Sequence, residues 1–341
     1  MNGFKRICAA LTGLVLLIAG LLKLMDPVGA GLVMDGYLGF FHLGFLKAFS
    51  RILACAFALV ESLVGAALIA GVWRKIVAMV SGALLALFTI LTLVLFIAKP
   101  VMDCGCFGEL VHLNHAQTLV KNLILDALWC MAFLPMKDYG EPMRIKYVSF
   151  GIASLSLVLF LLFSSLSIPM RDFTDFKPGV ELDEQPLYFS DANYQYADSL
   201  LLDGRFLVVS VYDVPGFKDE SFNHIAEFSK LASGEGFNVI LLLASVPEFI
   251  TERGINPALL SNTYFADRKD LLTLNRSNGG VSYVADVQIV RKWAFRNLPD
   301  ADDFAAMQKK APMDYLIETQ NRTRGLFDGF TLYLFAILFL L

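Results

Sequence analysis

The sequence predicts a helical membrane bundle joined to a soluble α/β domain. Of the 341 residues, 56% are hydrophobic and 29 are Phe, and the mean hydropathy is +0.59. An average this apolar indicates that lipid solvates part of the chain. Residues 1–169 with Asp328 hold 12 basic and 9 acidic residues, whereas residues 170–325 hold 16 and 23. An acidic soluble part excludes the basic surface of a nucleic-acid-binding protein.

Apolar runs long enough to cross a bilayer, about 17–25 residues, are the first elements along the chain. Residues 1–169 are predicted to form a membrane domain of five helices, and residues 326–341 a C-terminal one. The first run also fits a signal peptide with a cleavage site near residue 30. Lys23 and Asp26 would then lie between core and cleavage site, which favours a retained helix. The six runs are 7–22, 52–72, 76–98, 116–136, 147–168 and 326–341.

Lys and Arg in the short loops predict the orientation, because cytoplasmic loops are enriched in them. One side of the predicted bundle carries seven of these residues and the other four. This bias predicts a bacterial inner-membrane protein with a cytoplasmic N-terminus. The loop after the third run and residues 170–325 would then lie in the periplasm, where disulfides persist. The seven are Lys5, Arg6, Arg74, Lys75, Lys137, Arg144 and Lys146.

The soluble part shows alternating strand and helix patterns. Residues 170–199 are polar and irregular, typical of a linker or lead-in, and residues 200–325 form the predicted domain. Their order predicts an α/β domain with a parallel strand pair followed by an antiparallel hairpin. The predicted strands are 206–212, 238–244, 281–284 and 287–293, and the predicted helices are 219–231, 247–253, 268–275 and 300–310.

A Cys-x-Cys pair, Cys104 and Cys106, occupies the loop between the third and fourth apolar runs. Gly105 lets the chain bend between the two thiols, and the small strained ring of their disulfide would oxidise other thiols readily. Cys55, at the same predicted end of the bundle, is a candidate resolving thiol. Cys8 and Cys130 are expected to be packing residues. The 211 residues after Cys130 contain no cysteine.

A zinc site is the alternative use of this loop. His112 and His115 follow the two cysteines, but the gaps of one and two residues are tighter than zinc sites usually have. The two histidines are better read as interfacial polar residues ahead of a helix. The sequence therefore predicts no metal.

Three ionisable residues lie inside the predicted spans: Glu61, Lys121 and Asp126. Such residues are costly in lipid and are functional candidates by default. Lys121 can pair with either carboxylate, which would make a structural buried pair. A role in proton movement during thiol oxidation, with a quinone as electron acceptor, is the functional alternative. No cofactor can be identified from the sequence, and a quinone stays a candidate.

The soluble element order resembles the thioredoxin fold over about residues 200–312. The family's Cys-x-x-Cys position is occupied by Asp213–Lys218 without cysteine, and its cis-proline position by Asn278-Gly279-Gly280-Val281 without proline. The resemblance therefore implies a scaffold that lacks its redox centre. Such a domain would bind an extended client polypeptide beside Gly279 and Gly280.

The membrane half resembles DoxX-like proteins and the methylamine-utilisation protein MauE over about residues 5–135. The resemblance rests on GLLKLMDP at 20–27, Glu61, DCGCFG at 103–108 and Lys121-Asn122. It implies a helical bundle linked to disulfide formation in exported proteins. The fusion of both parts also resembles membrane proteins of Bacteroidetes.

Together these observations predict a membrane participant in thiol–disulfide exchange, a candidate oxidoreductase using Cys104, Cys106 and Cys55. The soluble domain would dock the client. Its partners would be thiols of exported proteins or a partner oxidoreductase, together with membrane lipid and without nucleic acid. Two alternatives stay open: a scaffold or assembly subunit with structural cysteines, and a small-molecule transporter that uses Glu61 and Asp126.

Overall fold

The computed structural model divides the chain into two compact units. The helical unit is residues Met1–Leu166 with Gly329–Leu341, and the sheet unit is Ser167–Asp328. The structure describes residues 3–99, 105–109, 113–135, 142–166, 169, 172, 174–249 and 262–341.

Long apolar helices build the helical unit. Five helices among the described residues are long and apolar enough to cross a membrane: Gly3–Met25, Gly44–Ala70, Arg74–Ala98, Arg144–Ser165 and Pro312–Leu340. The last is the C-terminal helix, which begins well before the predicted apolar run at 326. The labelled elements are α1 (Gly3–Met25), α2 (Pro27–Phe40), α3 (Ser50–Ala70), α4 (Arg74–Ala98), β1 (Cys106–Glu109), α5 (His115–Phe133) and α6 (Arg144–Leu166).

Helix α5 coincides with a predicted span, but it is not among the five helices that are long and apolar enough to cross a membrane. It has 19 residues and carries Lys121, Asn122 and Asp126. It nevertheless packs against α1 and α4, and it buries Asn122 and Leu125. The polar side chain of Asn122 therefore faces the interior of the bundle, and α5 belongs to it.

Helix α2 was not predicted from the sequence. Asp26 caps it by accepting a hydrogen bond from the Gly29 amide at 2.9 Å, and Pro27 stands at its first position. Both are ordinary helix-start signals. With 14 residues and four glycines this segment is too short to be recognised as a span. The candidate cleavage site near residue 30 falls inside it.

The packing of α1 on α3 brings the two backbones into near contact. A methyl group added at Gly20 would lie 2.2 Å from Ser62 Oγ and 2.7 Å from the Ala58 carbonyl oxygen. One added at Gly65 would lie 2.5 Å from the Leu17 amide nitrogen. Small residues at such positions let membrane helices pack closely, since lipid provides no hydrophobic force between them. The glycines therefore set the distance between α1 and α3.

We expect Gly20→Ala to destabilise the protein by about 1–3 kcal/mol, because the added methyl group overpacks this contact. Thermal unfolding of the full chain in detergent measures the loss. Gly151→Ala on α6 is the matched control, since nothing lies within 4 Å of a methyl group there. Equal melting temperatures for the two variants would contradict the packing argument.

The sheet unit contains a six-stranded mixed sheet in the order β2-β5-β4-β3-β6-β7. β3 pairs in parallel with β4, and β6 pairs antiparallel with both β3 and β7. The predicted parallel pair and hairpin are thus confirmed. The strands are β2 (Phe189–Ser190), β3 (Arg205–Val211), β4 (Asn238–Leu243), β5 (Thr263–Ala266), β6 (Gly280–Ala285) and β7 (Gln288–Trp293). The helices among the described residues include α7 (Asp219–Gly234), α8 (Arg268–Leu274) and α9 (Ala301–Lys309).

Both faces of the sheet are covered, as the continuous apolar run of β3 predicts. Leu207, Val209 and Val211 belong to a core with residues of α7 and α9, while Phe206 and Val208 belong to a second core. The second core includes four residues from the predicted linker: Phe176, Leu182, Leu187 and Phe189.

The segment 170–199 thus differs from the predicted linker, because its described part is an integral layer of the domain. Most of its polar residues are exposed, and its few apolar ones are spaced too irregularly to reveal a strand or helix. The predicted helix at 247–253 lies largely outside the described residues, of which 247–249 are helical.

A buried ion pair links the start of the sheet unit to β7. Lys292 Nζ lies 2.5 Å from Asp172 Oδ2, and the Asp172 side chain also accepts a hydrogen bond from the Thr174 amide. Burial by itself would raise the pKa of Asp172, but the charge and hydrogen bond of Lys292 together with the Thr174 bonds outweigh it and lower this pKa. The ionised carboxylate therefore stabilises the folded unit.

Because the folded pKa of Asp172 is lowered, its contribution to stability is fully present above about pH 5 and is lost as the pH falls below about 4. We expect Asp172→Asn to lower the melting temperature most above pH 5, and this difference from the parent to shrink in acid. The fluorescence of Trp293, in a Trp73→Phe/Trp129→Phe background of the full chain, reports the transition. A difference that stays constant across this pH range would contradict the assignment.

Candidate functional site at the Cys-Gly-Cys loop

The described part of the Cys-x-Cys loop begins at Gly105. Cys106 opens β1, is half-buried and carries a free thiol. Cys104, and with it His112, lies outside the described residues. The geometry of the candidate site therefore rests on Cys106 and its neighbours.

Two glycines shape this loop. Gly105 and Gly108 have φ angles of +57° and +61°, a backbone region that glycine adopts without strain. The Gly108 amide donates to the Gly105 carbonyl at 3.2 Å. A methyl group at Gly105 would lie 2.5 Å from Val33 Cγ1 on α2. The predicted bend at Gly105 is thus present, and β1 rests on α1 and α2.

The loop lies at the end of the helical unit where α1 ends and α5 begins. A methyl group at Gly108 would be 3.4 Å from the Leu22 carbonyl oxygen, near the end of α1. Lys121, in the second turn of α5, places its Nζ 5.1 Å from the centroid of the Phe107 ring. At the opposite end, Lys5 donates to the Leu134 carbonyl oxygen at 2.8 Å. Helices α1 and α5 are therefore antiparallel, and β1 sits across one end of the pair.

Glu61 is paired with Lys23, not with Lys121 as the sequence suggested. Lys23 Nζ lies 2.6 Å from Glu61 Oε2, and only 4% of Glu61 is exposed. The cause is the close α1–α3 packing, which sets the last turn of α1 beside the middle of α3. Sequence spacing does not show which helices are neighbours, so the partner of Glu61 was missed.

A row of hydrogen bonds joins α4 to α5. Thr89 Oγ1 donates to Asp126 Oδ2 at 2.7 Å, and Asn122 Nδ2 donates to Thr92 Oγ1 at 3.1 Å. Asn122 Oδ1 is buried and has no hydrogen-bond partner among the described residues. Thr89 and Thr92 were not identified from the sequence. Their i, i+3 spacing, opposite the i, i+4 spacing of Asn122 and Asp126, was the available signal.

The other cysteines and His115 are placed as follows. Cys55 lies on the second turn of α3 and is half-buried, and Cys8 is buried in α1, as a packing residue would be. Cys130 is exposed on α5, which corrects the prediction that it is a packing residue.

Within the described residues, no group of three or more His, Cys, Asp or Glu side chains could hold a metal ion. His115 begins α5, but Cys104 and His112, which the zinc alternative also requires, are outside that part.

Gly279 and Gly280 are buried and do not present a free strand edge. The Gly279 amide donates to the Ser210 carbonyl at 2.7 Å and the Gly280 amide to that of Ser277 at 2.8 Å. A methyl group at Gly279 would lie 2.7 Å from the Phe217 ring. Both backbone donors are thus used inside the domain, and neither is available to pair with a client strand.

Comparison with known proteins finds a similarity for the first 135 residues. Residues 1–135 match the family model described as methylamine utilisation protein MauE. This segment is similar to MauE. The MauE part of the predicted resemblance is thereby confirmed for residues that include α1–α5 and the Cys-x-Cys loop. No curated protein matches the chain. The MauE match and the apolar helices together indicate a multi-pass membrane protein with a membrane-associated accessory role.

We expect Glu61→Leu to destabilise the MauE-like unit by about 3–5 kcal/mol, because it leaves the Lys23 ammonium buried without its counter-charge. The Lys23→Met/Glu61→Leu double variant should recover most of the loss. Thermal unfolding of the full chain in detergent measures both.

The control for this cycle is the exposed pair Asp35–Lys47, whose charged atoms lie 3.8 Å apart. Asp35→Asn should cost less than about 1 kcal/mol, since solvent screens such pairs. If the effects of Lys23→Met and Glu61→Leu simply added, the buried pair would not be coupled as the structure indicates.

Proposed function

We propose that this protein exchanges disulfides with thiols of exported proteins, and that Cys104 and Cys106 form the exchanging pair. The observation that carries the proposal is the β1 loop. It holds a half-buried, free Cys106 at one end of a MauE-like bundle, one glycine away from a second cysteine. Cys8 is buried, so access for a client distinguishes Cys106 from it.

The reaction is a two-electron exchange. A client thiolate attacks one sulfur of the Cys104–Cys106 disulfide, and the S–S bond breaks to give a mixed disulfide and one free thiolate. The second client thiolate then attacks the client sulfur of the mixed disulfide. The client leaves oxidised, and Cys104 and Cys106 are left as the dithiol with the two protons. Repeated turnover needs an electron acceptor, for which a quinone is the candidate.

Helix α5 supports a periplasmic position for this loop. Its 19 residues span about 28 Å, close to the hydrocarbon thickness of about 30 Å, and it is antiparallel to α1. With α5 counted as a span, the positive-inside bias sets the end of α1 near Lys23, and β1 with it, on the periplasmic side of the inner membrane. The sheet unit, which follows α6, then lies on the same side.

The sheet unit would act as a binding module rather than as a second redox centre. Its loop after β3 contains no cysteine, and Asn278 Oδ1 accepts hydrogen bonds from the Tyr212 and Asp213 amides at 2.8 and 3.1 Å. The thioredoxin-like order of its elements supports the resemblance to that fold. Since Gly279 and Gly280 are buried, client docking would use another surface of the unit.

The intramembrane pairs weigh against the transporter alternative. Glu61 is engaged by Lys23 and Asp126 by Thr89, so each carboxylate has a partner on a neighbouring helix. This pairing suits a structural role. The remaining alternative is a scaffold with structural cysteines, and thiol trapping separates it from exchange.

We expect Cys104 and Cys106 to switch together between dithiol and disulfide when cells are treated with reductant or oxidant. Acid quenching followed by a bulky maleimide would show a two-thiol mobility shift. In the oxidant-treated cells, where the added oxidant takes the two electrons that the missing disulfide would have accepted, Cys104→Ser should join Cys106 to a client thiol in a mixed disulfide, seen as a higher band that reductant removes.

The matched controls are Cys8→Ser and Cys130→Ser, which should leave both the shift and the trapped band unchanged. A pair that stays in one state under both treatments, with no trapped band, would support the structural scaffold instead.

A further inference from the structure

A cleft in the sheet unit concentrates positive charge in a domain that is otherwise acidic. Its volume is about 630 Å³, and its described lining includes four cationic side chains and one carboxylate. The unit as a whole has more acidic than basic residues. The four cations are Lys177, Arg276, Lys292 and Arg324, and the carboxylate is Asp172.

The described lining of the cleft carries more cations than carboxylates. Its carboxylate, Asp172, is engaged by Lys292 at 2.5 Å. Arg276 is held in place, since only 6% of it is exposed and its Nη1 donates to the Leu272 carbonyl at 3.2 Å. Lys177 and Arg324 are exposed. Two exposed cations on a lining of net positive charge suit a phosphate group, which accepts hydrogen bonds from several N–H donors.

The chain connections of the cleft favour a lipid as the source of that phosphate. Pro169 lines it three residues after Leu166, the end of α6, so an extended chain separates them by about 10 Å at most. The C-terminal helix lines it with Thr319, Gln320, Thr323 and Arg324, and this helix runs directly into the apolar residues after 325. The headgroup layer of a bilayer is about 5–8 Å thick on each side. Both connections therefore keep this lining within reach of headgroups.

We propose that this cleft binds the phosphate of an anionic phospholipid headgroup. Basic pockets beside membrane helices bind such headgroups more tightly than zwitterionic ones. Each cation attracts the net negative charge of an anionic headgroup, and a zwitterionic headgroup has no net charge. The site is independent of the thiol chemistry: it involves no cysteine, and it lies wholly within the sheet unit.

Binding of phosphatidylglycerol and phosphatidylcholine to the delipidated full-length protein in detergent tests the proposal. Native mass spectrometry follows both titrations. We expect the parent to prefer phosphatidylglycerol, and Lys177→Gln/Arg324→Gln to weaken its binding about 25-fold, at roughly 1 kcal/mol for each cation lost. Phosphatidylcholine binding should not change.

The matched control is Lys218→Gln/Lys230→Gln, which removes the same charge from exposed positions of the same unit outside the cleft. It should bind phosphatidylglycerol as the parent does. Equal loss of binding in both double variants, or no preference for phosphatidylglycerol in the parent, would overturn the proposal.

A titration with inorganic phosphate separates a lipid from a soluble anion. If inorganic phosphate binds the parent as tightly as phosphatidylglycerol and the cleft variant loses it, the ligand is a soluble anion and the lipid assignment is wrong.

Discussion

The close approach of α1 to α3 is the constraint on which the helical unit depends. Gly20 and Gly65 leave no room for a side chain at this contact, so the two backbones lie near van der Waals distance. That spacing brings Lys23 within 2.6 Å of Glu61. Breaking an ion pair between two helices costs most where water is scarce, because either charge left alone there is expensive. The glycine contact and the ion pair thus fix the end of α1.

The position of β1 follows from that fixed end. Gly108 lies close to the Leu22 carbonyl and Gly105 close to Val33. One surface of the loop therefore packs on α1 and α2. The half-buried Cys106 is therefore presented by the bundle itself rather than by a loose connection. A thiol that must meet a partner's sulfur gains from such a fixed position, since the attack is directional.

The sequence predicted the local elements better than their neighbours. The buried run of β3, the hairpin at Asp286 and the 3.6-residue period of α7 each depend on patterns within a few residues, and all three are present. The partner of Glu61, the row from Thr89 to Asn122 and the packing of 176–189 in a second core depend on contacts between distant segments. The spacing within one segment can mark a polar face, but it does not show which segment packs against that face. Helix α2 was missed for another reason. Asp26 and Pro27 mark its start, but its four glycines weaken the helical pattern that follows.

The buried pairs also limit which residues of the bundle are candidates for a chemical reaction. A carboxylate that takes part in proton transfer must exchange its proton with a mobile partner, whereas Glu61 is held by a lysine on an adjacent helix. Cys8 is buried against the same helices and cannot meet a bulky client. Cys130 is exposed near the end of α5 that lies away from the loop and from Cys106. The Cys-x-Cys loop is thus the place where access, a fixed backbone and two adjacent sulfur atoms in the sequence coincide.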